Sequence, residues 1–220
     1  MSYVNLISAC DIFMKKANAS FDVVEDLPER IDELQHDDFD EIQEKAFGKY
    51  DDDDYIRPSF DVVDDLRQTG AIGTAITKTD KITGKKQIVA HMIGYTLDQD
   101  FDADDFKNKE FDWYSNKDER NKIERFIKED AIPHKEVLYI SEFAALEEAP
   151  RFAVFSMGKK FIKKAREKGY KYIAAQALSD SYRLFMNGDT PRTTLLRMFG
   201  LRMIAKLETD DGIMVVLGIK

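Results

Sequence analysis

One stretch constrains the fold more than any other. Residues 137–146 read Val-Leu-Tyr-Ile-Ser-Glu-Phe-Ala-Ala-Leu, nearly all apolar, and Pro150 breaks the run. A strand with apolar residues at both parities is buried on both faces, as a central strand is in a sheet covered by helices. Residues 152–168 then follow a helical pattern, with Phe155, Gly158, Phe161, Ile162 and Ala165 on one face and Lys159, Lys160, Lys163, Lys164 and Arg166 on the other. Gly169 closes this helix. A further strand over 170–178 has Tyr172-Ile173-Ala174-Ala175 at its centre. Strand, helix and strand in that order predict a βαβ crossover near the middle of the sheet.

The other elements are arranged around this unit. Residues 71–77 are small and β-branched, 79–85 form a polar turn containing Gly84, and 87–95 are again apolar, which predicts an antiparallel hairpin. The first 19 residues carry no clear period. From Asp26 onward Leu27, Ile31, Leu34, Phe39 and Ile42 recur at helical spacing, with Pro28 in the first turn. Ser59 is expected to cap a short helix through Phe60, Val63 and Leu66 that Gly70 ends. The run from Asp51 to Asp54 repels itself and reads as a loop. Residues 98–136 are charged and aromatic, with a helix expected over 117–128, and read as a folded insertion. Thr190-Pro191 opens a helix closed by Gly200, and two strands, 201–207 and 213–219, finish the chain. The fold class expected is α/β, with a mixed, largely antiparallel central sheet flanked by helices. Residues 1–220 form one domain in this reading, with an acidic helical N-terminal region, 1–70, and an insertion at about 98–136.

Charge and cysteine content restrict what such a domain does. The net charge is −9 over 220 residues. Residues 1–70 carry 19 acids and 7 bases, whereas residues 150–220 carry 14 bases and 6 acids. An acidic third attracts cations and a basic third anions, although charged runs are usually solvated surface. Nucleic acid is not expected as a partner, because the acidity is high and aromatic and basic residues do not interleave. No run approaches the roughly 20 apolar residues of a membrane span, and no basic segment precedes an apolar one at the N-terminus as in a signal peptide. Cys10 is the single cysteine, so an intrachain disulfide, a multi-cysteine zinc site and an iron–sulfur cluster are excluded, and a cytoplasmic location is expected. His36, His91 and His134 show no metal-ligand spacing, so no metal is expected, and His91 within its strand reads as structural.

The order of elements resembles the GNAT superfamily of N-acetyltransferases, from residue 71 to the end, with an insertion. Two passages carry the resemblance. One is the 138–146 strand with its helix ending Ala165-Arg166-Glu167-Lys168-Gly169-Tyr170. The other is Leu195-Leu196-Arg197-Met198-Phe199-Gly200-Leu201, which is similar to the family's "LYEKLGF" segment. The resemblance implies an acetyl-CoA substrate lying along the central strand. Backbone groups of Phe143, Ala144, Ala145 and Leu146 would meet the pantetheine arm, and residues Arg151, Phe152, Ala153, Val154 and Ser156 would form the pyrophosphate loop. That loop departs from the family's Arg/Gln-x-x-Gly-x-Gly/Ala pattern: with Arg151 first, Val154 and Ser156 stand where glycines belong, while counting back from Gly169 by the usual helix length aligns Glu148, Arg151 and Ala153 with the motif instead, and in either alignment Glu147 and Glu148 are close by. Arg151, Lys159 and Lys160 are placed to offset those acids. The family's frequent catalytic tyrosine corresponds to Leu196, leaving Tyr182 as a candidate general acid.

Glu142 is the residue in the central strand that its surroundings explain least. Simple alternation places it on one face with Leu138, Ile140 and Ala144, and burial of a carboxyl there pushes it toward general-base behaviour. The resemblance gives the same role to a glutamate on this strand. The competing reading is a Glu at a splayed strand end, facing water or a lysine. Three functions are therefore set against one another. The first is acetyl transfer from a coenzyme A thioester to a primary amine, a cationic small molecule or protein, in a monomer or homo-oligomer. The second is a non-catalytic binding or structural protein of the same fold, viral or assembly-related. The third is an acidic protein that mimics nucleic acid through residues 20–65.

Overall fold

The computed structural model describes residues 19–33, 36–47, 59–96, 134–177, 198–208 and 213–219. Cys10, the Asp51–Asp54 run, the insertion up to residue 133, Tyr182 and the helix preceding Met198 lie outside them. The described strands are β1 (Ala19–Glu25), β2 (Ile72–Asp80), β3 (Lys86–Thr96), β4 (Val137–Ala145), β5 (Tyr172–Ala177), β6 (Leu201–Glu208) and β7 (Ile213–Ile219). The helices are α1 (His36–Phe47), α2 (Ser59–Arg67) and α3 (Arg151–Glu167), with 3-10 turns at Leu27–Glu33 and His134–Glu136. The strands form one sheet in the order β1-β2-β3-β4-β5-β7-β6. β4 and β5 are parallel, and every other neighbouring pair is antiparallel. This is the mixed, mainly antiparallel sheet that the hydrophobic pattern predicts.

The expected hairpin is β2–β3. Its turn is built by Asp80, whose carboxylate accepts the N–H groups of Ile82 and Thr83, each at 2.8 Å. Those two backbone donors, Thr83 first, hold the Asp80 carboxyl below the usual range. β1 departs from the expected helical N-terminal region: Ser20 to Glu25 pair with β2 in unbroken antiparallel register. Ser59 is the first helical residue of α2 rather than a cap outside it. Its own N–H is held by the carboxylate of Asp40 on α1 at 3.0 Å, so the orphan donor at this helix start is met by a neighbouring helix.

Helices cover both faces. A Cβ on Gly94 would meet the Phe161 ring of α3 at 3.3 Å, whereas a Cβ on Gly73 would meet Leu66 of α2 and Leu27. Gly94 pairs with Ile72 and Gly73 with Ile93, so the two glycines look out of opposite faces. One apolar cluster joins Leu27, Phe39, Ile42, Val62 and Val63 to the first four strands and to Ala153 and Met157 of α3. The second sets Phe161, Ile162 and Ala165 against Leu138, Ile173, Leu201 and Leu217. α3 thus packs along both clusters. It ends as the sequence predicts: Gly169 adopts φ 90°, Tyr170 N–H reaches back to Ala165 O (3.0 Å) and Gly169 N–H to Arg166 O (3.0 Å), a Schellman closure.

Candidate active site

Strand β4 carries one residue more than β3 at its middle. Ile93 pairs with Glu142 and Gly94 with Ile140, so Ser141 is a bulge. The extra residue reverses the alternation. Leu138 and Ile140 face α3, but Glu142 and Ala144, opposite Ile93 and His91, face α1 and α2. The sequence expectation that Glu142 shares a face with Leu138 and Ile140 is therefore corrected, while its pairing with Ala144 stands.

On that face Glu142 is 5% exposed. A buried carboxylate without donors costs several kcal/mol, and here two buried side chains meet it. Gln43 of α1 donates Nε2–H to Oε1, and His91 of β3 places Nε2 against the same oxygen. Both partners are fully buried. Phe39 stands edge-on to the imidazole, with ring centroids 5.4 Å apart and planes at 72°. A histidine and an amide, both buried, meet this carboxylate. His91 Nδ1 and Gln43 Oε1 are buried without a hydrogen-bond partner among the described residues.

Beside this cluster β4 and β5 part. Their parallel ladder runs from the Val137–Tyr172 pair to the Ile140–Ala175 pair, yet β4 continues to Ala145. Leu146 N–H bonds Val89 O at 2.9 Å. By antiparallel alternation the backbone groups of Ala144 also face β3, and those of Phe143 and Ala145 face the side from which β5 has departed. Leu146 is committed elsewhere, since its carbonyl also accepts Ala149 N–H at 3.0 Å. Of the four residues expected to line an extended arm, Phe143 and Ala145 have the suitable direction. Phe143 is half exposed, at 46%.

α3 begins at the end of this gap. Pro150 is its N-cap and makes no side-chain capping bond. Ala153 and Val154 N–H both return to the Pro150 carbonyl, at 2.8 and 3.0 Å. The amides of Arg151 and Phe152 remain as the first-turn donors with no intrahelical acceptor. Arg151 is exposed and Phe152 is 76% exposed, so the Phe152 ring does not plug the opening. Ala153 is buried, Val154 packs partly on the first cluster, and Ser156 is half-buried. Glu148, one of the two acids expected to oppose a phosphate, is neutralised by an ion pair with Lys78. Lys160, expected to offset those acids, instead pairs with Glu25 of β1 at 2.8 Å. Lys159 lies over the Phe155 ring, 5.7 Å from its centre.

Sequence reasoning singled out Glu142 but not Gln43, and it read His91 as structural. A lone histidine and a lone carboxylate in two neighbouring apolar strands was the available signal. Their facing position depends on the bulge at Ser141, which no local residue announces.

No protein-family model matches the sequence, and comparison with curated proteins finds no match. Solved structures do match. They include a proposed acetyltransferase from Acinetobacter baylyi, 10% identical, covering 91% of this chain and 94% of that one with a TM-score of 0.50. Another is a proposed acetyltransferase of the GNAT family from Desulfovibrio desulfuricans, 9% identical over 91% and 100% of the two chains, TM-score 0.50. A third, from Salmonella typhimurium with its cofactor acetyl-CoA, is 6% identical over 92% and 94%, TM-score 0.47. The chain has a GNAT-like fold.

Proposed function

We propose that the protein transfers an acyl group, acetyl in the simplest case, from a coenzyme A thioester to a primary amine. The observation that carries this reading is the parting of β4 from β5 directly beside a buried carboxyl group in contact with Gln43 and His91. The GNAT-like fold supports it. In this reading the pantetheine arm runs along β4 and bonds the backbone of Phe143 and Ala145 as an added strand would. The pyrophosphate lies toward the Arg151 and Phe152 amides at the start of α3, where the helix dipole favours an anion. Glu142 takes a proton from the incoming ammonium, and the freed amine attacks the thioester carbonyl. An N–H on the exposed side of β4 holds the oxyanion, and the coenzyme leaves as the thiolate. The acceptor is a cationic amine, drawn in by the acidic N-terminal third. The whole chain acts as one domain.

A second reading, a non-catalytic protein of the same fold, is favoured by the start of α3. Proline at the N-cap removes one N–H, and no glycine lets the backbone close on a phosphate.

Thermal unfolding with acetyl-CoA, combined with thiol release over a panel of amines, separates the two. A ligand at about 100 times its Kd adds about 2.7 kcal/mol, a rise in Tm of roughly 5–10 °C for a chain of this size. Stabilisation with amine-dependent thiol release is expected. Glu142→Gln should keep the stabilisation and lose about 10²–10⁴-fold in turnover. No change in Tm at millimolar coenzyme overturns the acyl-transfer reading and supports the second.

A further inference from the structure

We infer that Glu142 and His91 act as one proton-accepting unit, with Gln43 as the residue that orients it. This deepens the acyl-transfer reading and rests on it. Three elements far apart in sequence deliver these groups to a single atom: Gln43 is 99 residues from Glu142 and His91 is 51. An amide –NH₂ can only donate, so Glu142 Oε1 is an acceptor in the Gln43 contact. The inferred resting arrangement has Glu142 as the carboxylate and the imidazole facing the same oxygen donating from Nε2, with its lone pair at Nδ1. Nδ1 has no partner among the described residues, which leaves it open to a second proton.

The resting unit carries one negative charge in a place almost without solvent. Taking one proton brings it to zero, as a neutral acid beside a neutral ring or as a carboxylate–imidazolium pair. Low polarity disfavours the isolated charge and so favours the uptake. The two groups touch, so the proton belongs to the pair rather than to either residue. The balance for an ammonium acceptor is simple. One proton passes to the unit before attack, and a second leaves the nitrogen as the amide forms. One of the two ends on the coenzyme A thiolate and the other in solvent. Gln43 touches no reacting atom in this scheme and is a positioning residue; the carboxylate of Glu142 and Nδ1 of His91 are the two places where the unit takes its proton.

Among the residues whose side chains are described, the charged groups on the packed helices are Asp40, Glu41, Glu44 and Lys45 on α1, and Asp61, Asp64, Asp65 and Arg67 on α2. Asp40 is held by Ser59 N–H, Glu41 pairs with Lys45, and Asp64 pairs with Arg67. Asp65 is itself buried and is the control. β2 presents Ala75 opposite His91, and β4 adds no charge besides Glu142.

The test is the pH dependence of kcat/KM in wild type, His91→Gln, Gln43→Leu and Asp65→Asn. His91→Gln keeps a donor for the carboxylate but cannot titrate. It should retain the acetyl-CoA rise in Tm, move the acid limb by about one pH unit or more, and lower turnover at least tenfold. Asp65→Asn should leave the limb in place. Activity that falls in His91→Gln only in step with the folded fraction, with the limb unmoved, overturns the inference. A second readout needs no turnover: titration of the His91 imidazole by ¹⁵N NMR in wild type and Glu142→Gln. The curve should shift between them, and identical curves overturn the unit. Absence of any coenzyme effect on wild-type Tm would instead strike the acyl-transfer reading, with the NMR comparison still deciding whether the pair titrates together.

Discussion

Gly94 has no side chain because β4 and α3 fill the place where one would be. A Cβ there would sit 2.5 Å from Tyr139 O and 3.3 Å from the Phe161 ring. The nearer atom is backbone, so a smaller neighbour does not relieve the clash. Gly94→Ala is therefore expected to cost about 3 kcal/mol, the upper end for overpacking, and adding Phe161→Leu should not restore stability. Urea denaturation of both variants checks this, and recovery in the double variant would show that the ring, not the strand, sets the limit. Tyr170 makes a different kind of tie. Its hydroxyl donates to Gly70 O at 3.0 Å and contacts Thr96 Oγ1. Burial raises the phenol's pKa, and the Thr96 bond only partly offsets that. The folded value is therefore above the unfolded one of about 10. The phenol's contribution is whole below about pH 10 and is lost as pH rises through the folded value. Tyr170→Phe should cost about 1 kcal/mol at neutral pH and should flatten the alkaline decline in Tm; a decline as steep as in wild type would mean that other groups cause it.

At the scale of elements, the basic face of α3 is largely spoken for. Lys160 pairs with Glu25, Lys164 with Asp26, and Lys163 with Glu167, while Lys168 donates to Ala71 O at 3.0 Å. The Asp26 bond holds the Lys164 amine above its usual pKa. Two of these links join α3 to the end of β1, so acids of the N-terminal third meet bases of the C-terminal third within the molecule. Asp26 also sits at φ 62°, a conformation asparagine tolerates. Asp26→Asn thus removes the charge without straining the turn. The pair is partly exposed, so the loss should be at most about 1 kcal/mol and should vanish in high salt; a larger, salt-independent loss would point to the turn itself. The elements that local chemistry specifies were legible in the sequence: the hairpin closed by Asp80 and Gly84, and the β4–α3–β5 crossover ending at Gly169. β1 was not, because Ser20-Phe21-Asp22-Val23-Val24-Glu25 becomes a strand through its pairing with β2. Glu142 was legible as the odd carboxylate in an apolar run. Its face was not, because a bulge without a glycine is set by the partner strand.

Across the whole molecule, β1 to β4 with α1 and α2 are joined to β5, β6 and β7 by a parallel ladder of four residue pairs. α3 reinforces the joint by packing into both apolar clusters. Past Ile140 and Ala175 the two parts of the sheet have no ladder between them among the described residues. The opening therefore follows from topology and does not require glycines in a phosphate loop, which is how a GNAT-like fold occurs here at about 10% identity to its structural neighbours. The topology also predicts which amides a bound coenzyme would change. Ala144 and Leu146 are turned to β3 and are already bonded or in register there; Phe143 and Ala145 are turned to the opening. Amide hydrogen exchange followed by NMR, with and without coenzyme A, should show protection rising at Phe143 and Ala145, with Ala144 and Leu146 nearly unchanged. An alternating response is the mark of an extended arm bonding one edge of β4. A uniform rise along residues 143–146 would mean general stiffening of the strand, and no change in any of the four would remove β4 as the place where the coenzyme lies.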